Sequence, residues 1–129
     1  MRRTPTGPVV GVGIDLVEVD RMRTVLERTP RFATRVFTEA EWDYCASCRL
    51  PEVHAAARFA AKEAVIKAIG AELWDGSLRD IEVVRTPTGP EVRIGGGFEG
   101  PAAHVAAWLL SITHTETTAA AVAVAVGHG

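Results

Sequence analysis

Apolar positions along the chain fall into short strand-like runs and longer runs with helical spacing, and each change of period coincides with a residue that explains it. Val9 to Ile14 reads as a short buried strand after a Pro-rich lead-in, with Gly11 and Gly13 marking a close backbone approach. Asp15 closes that strand, and its spacing to Glu18 is that of a capping box. A helix is therefore predicted through Val19, Met22, Val25 and Leu26 until Thr29-Pro30 stops it. Thr38 and Glu41 repeat the box and open a second short helix through Trp42 and Cys45.

Pro51 suits the first turn of a third helix, which AAARFAAKEAVIKAIG carries to Gly70. That helix is apolar almost all round, as a buried helix is, so Lys62, Glu63 and Lys67 each require a reason for being there. Asp80 to Val84, the turn TPTGP and Val92 to Ile94 read as a hairpin with a longer loop. A Gly-rich connector and a short helix entered at Pro101 follow. Leu109 to Thr115 and Ala119 to Val126 form a last strand pair. In it Ala119, Ala121, Ala123 and Ala125 share one face, opposite Val122, Val124 and Val126. A face with so little bulk admits a helix of the same chain or another subunit at close range.

Composition narrows the class. The 129 residues are 47% hydrophobic, 23% charged and only 6% aromatic, so residues 1–129 are expected to form one globular domain with an aliphatic, Ala-rich core. The longest apolar run, Ala119 to Val126, is eight residues, far short of the ~18 that cross a bilayer. Pro5, Gly7 and Pro8 break any signal-peptide core, and the two cysteines are too few and too close for a disulfide framework. A cytoplasmic address is expected.

A net charge of −2 gives no reason to expect nucleic acid or an anionic membrane as partner. Half of the fourteen basic residues nevertheless fall in positions 1–35, among them Arg21, Arg23, Arg28, Arg31 and Arg35. These either solvate a helix and its following loop or present a basic face to an acidic partner.

Several motifs fail on inspection. Gly11-Val12-Gly13 begins like a dinucleotide fingerprint, but Leu16 stands in place of the third glycine and Asp15 would face the phosphates. Cys45 and Cys48 form C-A-S-C without a second pair for zinc, and lie late in a helix where a redox pair lies at its start.

A stronger set is Asp15 at a strand end, Glu63 and Lys67 one turn apart on the buried helix, and His114 inside an apolar strand. Each also has a structural reading: an N-cap, an i,i+4 ion pair, a satisfied core or edge histidine. Together, two isolated carboxylates suit Mg²⁺, which keeps waters and completes its octahedron with substrate phosphates. A lysine on the same helix face adds a point charge for those phosphates.

GVGIDLVEVDRM, FTEAEWDYC, RFAAKEAVIKAIG and SITHTETTAAAVAV, in this order, resemble the holo-acyl carrier protein synthases, the small phosphopantetheinyl transferases. The resemblance implies an α+β fold, an antiparallel sheet packed with helices, assembled as a homotrimer with the active site between neighbouring subunits. The reaction implied is Mg²⁺-dependent transfer of 4′-phosphopantetheine from coenzyme A to a serine of apo acyl carrier protein, releasing adenosine 3′,5′-bisphosphate. Mn²⁺ is the alternative metal, since both favour oxygen ligands.

Position by position, Asp15 and Glu63 match the family's metal ligands, and Glu63 also matches the group that helps accept the serine proton. Lys67 matches a lysine on coenzyme A phosphate. Thr113 and His114 match a strand that reaches the coenzyme A of the adjacent subunit, and Arg21 an arginine that docks the acidic helix of the carrier. Where the family often has a basic or Gly-rich loop near the nucleotide, Ala71 to Leu78 has no Lys or Arg. Glu116 likewise stands where a basic residue is frequent. A catalytically silent trimeric module that binds coenzyme A or carrier is the alternative, against which the presence of Asp15, Glu63 and Lys67 counts.

Overall fold

The computed structural model describes residues 4–129, so Arg2 and Arg3 of the basic N-terminal segment lie outside the described residues. Strand β1 (Val9–Glu18) leads into helix α1 (Val19–Arg28), followed by the short α2 (Phe32–Val36), α3 (Glu39–Ser47) and the long α4 (Pro51–Ala68). A hairpin of β2 (Ile81–Thr86) and β3 (Gly89–Ile94) comes next, then β4 (Ala107–His114) and β5 (Thr118–Val126). The sheet is antiparallel in the order β1-β5-β4, with the β2-β3 ladder separate from it, and the architecture is α+β as expected.

Helix α4 lies on the sheet almost without intervening side chains. Ala119, Ala121, Ala123 and Ala125 of β5 are buried beneath it, and α4 answers with Ala60, Ala61, Ala64 and Ala68. Gly11 and Gly13 of β1 extend this thin layer, for a methyl at Gly13 would collide with the Ala64 carbonyl and one at Gly11 with that of Ala68. The alanine face is thus covered by the chain's own helix, and the subunit packing suggested for it from sequence is not its use. Gly70 ends the helix at φ +67, a conformation that favours glycine.

The opposite sheet face is left open. Val12, Ile14 and Leu16 of β1 are 60%, 63% and 65% exposed. Strand register sets Val12 beside Val124 and Leu109, Ile14 beside Val122 and Ser111, and Leu16 beside Ala120 and Thr113.

Lys62 has its reason in the core. Its side chain is 0% exposed, and its ammonium donates to Glu41 Oε1 at 2.8 Å, the Leu78 carbonyl at 2.9 Å and the Ile81 carbonyl at 2.5 Å. All three N–H donors are used. Glu41 is the same residue that closes the expected capping box with Thr38: Oε1 accepts from the Thr38 N–H and Oε2 from the Val83 N–H. One ion pair thereby joins α3, α4 and β2, and removing Lys62 alone would leave a buried carboxylate uncompensated, at a cost of about 3–5 kcal/mol.

Three local expectations are corrected. The Asp15–Glu18 capping box does not form, because β1 stays paired with β5 as far as Glu18↔Thr118 and the Val19 N–H donates to the Thr117 carbonyl. The ladder takes the donors that a cap would have served, and α1 starts at Val19 with no side-chain cap. The hairpin turn is two residues, Pro87 and Thr88, since Thr86 already pairs with Gly89. No helix starts at Pro101: residues 101–104 form turns after a 3₁₀ turn at Gly96–Phe98, and the early pairing of Ala107 with Val126 leaves no length for one.

Candidate functional site

Residues 14–16 sit mid-ladder, where side chains alternate between faces. Leu16 points to the open face and Asp15 to the helix side, in register with Ala121 and Ile112. There Asp15 meets the stripe of α4 formed by Phe59, Glu63 and Lys67 at i,i+4 spacing. Lys67 Nζ donates to Asp15 Oδ1 at 3.2 Å and to the Ile14 carbonyl at 3.0 Å. Glu63 is half-buried, and its carboxyl is held above its ordinary value by burial and then by the Asp15 charge, with Lys67 acting the other way. Two carboxylates and one ammonium separated by nearly fifty residues in sequence are therefore brought together.

Asp15 and Glu63 border an open pocket of about 460 Å³. Asp15, Glu18, Arg21 and Glu63 supply its polar part, while Met22, Val25, Phe32 and Phe59 supply an apolar wall. Arg21, on the first turns of α1, so stands at the mouth of the same pocket. Its neighbour Arg23 is engaged with Asp20 and Glu52 and is not available in the same way.

Thr113 and His114 do not line this pocket. Thr113 is exposed on the open sheet face beside Ala120 and Leu16. His114 lies on the edge strand β4, its ring 5.3 Å from that of His54 on α4. Around it is a second recess of about 400 Å³ bordered by Tyr44, His54, Arg58, Arg85 and His114. Among the described residues neither Arg58 nor Arg85 has a carboxylate partner. Arg58 is only 6% exposed and its buried Nε has no hydrogen-bond acceptor. A guanidinium in such a place, without a carboxylate beside it, is a group that an anion would satisfy.

This recess was missed from sequence, although its signal was present. His54, Arg58 and Lys62 recur at i,i+4 on an otherwise apolar helix, a stripe one position removed from Phe59, Glu63 and Lys67. Cys45 and Cys48 take part in neither site. Burial pushes the Cys45 thiol up to about 11, and the Cys48 thiol donates to the Tyr44 carbonyl.

The molecule is thus a thin α+β layer with a carboxylate pair on one side of its central helix and arginines without a carboxylate partner on the other. The chain belongs to the 4′-phosphopantetheinyl transferase superfamily, whose family model matches residues 11–125. It is 46% identical over 123 residues to the holo-(acyl-carrier-protein) synthase of Frankia alni, covering 91% of this chain and 97% of that one. Among solved structures it resembles the acyl carrier protein synthase of Mycobacterium tuberculosis, at a TM-score of 0.71 and 39% identity over 93% of this chain and 99% of that one. It also resembles a Bacillus anthracis holo-(acyl-carrier-protein) synthase in complex with CoA (3′,5′-ADP), at a TM-score of 0.78 and 31% identity over 93% and 98%.

The strain at Glu63 yields a pH-dependent expectation. A carboxyl raised in the folded chain binds its proton more tightly there than when unfolded. Stability is therefore lost as pH rises from the ordinary value of 4.5 through the raised one. Glu63→Gln is expected to raise the melting temperature of the ligand-free protein at neutral pH, and to have no such effect below 4.5, where the carboxyl is protonated in both states. Thermal unfolding at the two pH values checks this, and a gain of equal size at both would show that ionisation of Glu63 is not its cause.

Proposed function

We propose that this protein is a cytoplasmic enzyme that transfers 4′-phosphopantetheine from coenzyme A to a serine hydroxyl of an apo acyl carrier protein, releasing adenosine 3′,5′-bisphosphate. The observation that carries the reading is the convergence of Asp15 and Glu63 on one open pocket, with Lys67 bonded to Asp15 beside it, in a chain whose relatives are holo-(acyl-carrier-protein) synthases.

Asp15 and Glu63 fit a divalent cation on the chemistry of the pair. Both ligands are hard oxygens, and the Asp15 charge, which adds to burial in holding the Glu63 carboxyl up, is a repulsion that a cation between them would relieve. Mg²⁺ bound there, or Mn²⁺, supplies positive charge to the coenzyme A diphosphate. Lys67 leaves Asp15 for a phosphate oxygen and adds its own charge to the leaving group. The serine Oγ forms a bond to the phosphorus that carries pantetheine, and the bond from that phosphorus to the bridging oxygen breaks. The electron pair departs on the bisphosphate and the serine proton passes to Glu63. Positioning and electrostatics carry the reaction, with no covalent enzyme intermediate.

The assembly is a homotrimer, supported by the exposed Val12, Ile14 and Leu16 face. Association of subunits brings the Thr113–His114 end of one β4 to the pocket of the next. The recess with Arg58, Arg85 and His114 then receives the 3′-phosphate, so the cations that Ala71 to Leu78 lacks come from α4 and β2. At the other pocket Arg21 meets the acidic helix of the carrier.

Intact-mass spectrometry of an apo acyl carrier protein incubated with this protein, coenzyme A and Mg²⁺ tests the reaction. A phosphopantetheine-sized gain that requires Mg²⁺ and is lost in Glu63→Ala is expected. No gain with carriers of fatty acid or polyketide synthesis would favour a silent binding module. Arg21→Ala is expected to raise KM for the carrier and leave that for coenzyme A unchanged, and an unaltered carrier KM removes Arg21 from docking. Light scattering should give three times 13.8 kDa for the protein and a smaller species for Ile14→Asp, whereas a monomeric wild type overturns the trimer.

A further inference from the structure

Tyr44 occupies an unusual place in the arginine recess. The Arg58 guanidinium carbon lies 4.3 Å from its ring centroid and that of Arg85 lies 4.2 Å from it. The His54 ring meets the same tyrosine edge-on at 5.6 Å. Three cationic or potentially cationic side chains, from α4 and β2, are gathered against one aromatic ring on α3. Burial, and then His114, Arg58 and Arg85, disfavour the charged form of His54, so the positive charge of the recess rests on the two arginines.

Like charges gathered this closely repel one another, and among the described residues no carboxylate lies within ion-pair distance of either arginine. The negative face of an aromatic ring is the counterweight present: it attracts guanidinium without neutralising it. A carboxylate in the same position would hold the arginines equally well but would compete with an arriving phosphate and repel it. An aromatic ring therefore keeps both guanidiniums ordered while leaving their terminal N–H groups for an external anion.

We propose that Tyr44 is a positioning residue that holds Arg58 and Arg85 in register for a phosphate monoester, and thereby sets the preference of the enzyme for coenzyme A over its 3′-dephospho form. The inference rests on the assignment of the recess to the 3′-phosphate made above. Tyr44 touches no substrate in this role. It acts through the arginines, so its loss falls on the affinity for one ligand group and leaves the chemical step at the Asp15 pocket alone.

The test is steady-state transfer to apo acyl carrier protein with coenzyme A and with 3′-dephospho-coenzyme A as donors. Tyr44→Leu is expected to raise KM for coenzyme A about tenfold, with kcat and the KM for the dephospho donor held within about twofold. Tyr44→Phe, which keeps the ring face, is expected to restore the wild-type ratio of the two KM values. An equal rise for both donors, or no rise for either, overturns the proposal, as does a Tyr44→Phe variant as impaired as Tyr44→Leu. Arg85→Gln separates the two levels of the argument. If Arg85→Gln leaves the donor preference unchanged, the phosphate assignment itself fails; if it abolishes the preference and Tyr44→Leu does not, only the positioning role fails. Should Tyr44→Leu not fold, Tyr44→Met, which likewise removes the ring, takes its place in the same comparison with the same two outcomes.

Discussion

The distance between α4 and the sheet governs the molecule. Asp15 is on a strand and Glu63 and Lys67 are on a helix, and side chains of that length cooperate only if the two backbones come very close. Gly11, Gly13 and the alanines of β5 and α4 remove everything that would hold them apart. The Lys67 bond to the Ile14 carbonyl, at 3.0 Å, is a direct consequence, since a helical side chain there reaches a strand's main chain. Filling the layer with larger apolar residues would add buried area, but would separate the two halves of the site. Such close contact leaves little room for adjustment, and the Glu41–Lys62 pair then ties the same helix to α3 and β2 on its other side.

A good part of this was legible in the sequence because the signals are local or periodic. The Thr38–Glu41 box, Pro51 at the helix start, Gly70 past its end and the alternating alanines each depend on neighbours a few residues away. The two backbone glycines flagged as a close approach proved to be one. Where reading failed, a non-local partner had won. Asp15 and Glu18 have the spacing of a cap, yet the β5 strand, a hundred residues on, offers a ladder that serves more backbone groups than the cap would. The same competition with β5 shortens the segment after Pro101. Asp15 comes to lie beside Glu63 and Lys67 although the cap its spacing suggests does not form, because its side chain faces the helix in either backbone.

The candidate site divides along the same line. Asp15, Glu63 and Lys67 announced themselves as charges on otherwise apolar elements, and the structure brings them together. Arg58 and His54 were equally out of place on α4, but their meaning depends on Tyr44 and Arg85, which no spacing connects to them. Lys62, on the same stripe, belongs to the core instead. Three residues at one helical interval thus have two fates, decided by whether a carboxylate faces them: Lys62 has Glu41, and Arg58 has only an aromatic ring.

The two stripes of α4 also hold apart the two clusters that the proposed reaction needs together. Adjacent helix positions point about 100° apart, so Arg58 and Phe59 open onto different sides, and Lys67 is a further ~13 Å along the axis from Arg58. The carboxylate pocket faces α1, whereas the arginine recess faces β2 and β4. Coenzyme A carries its diphosphate and its 3′-phosphate on a single ribose, and no single face of α4 presents both clusters to it. In the homotrimer proposed above, a ligand that needs both would draw the carboxylate side from one chain and the arginine side from another. On that proposal the open sheet face, with Thr113 at one end and the bare Val12, Ile14 and Leu16 along it, is the surface on which a second chain would supply that complement.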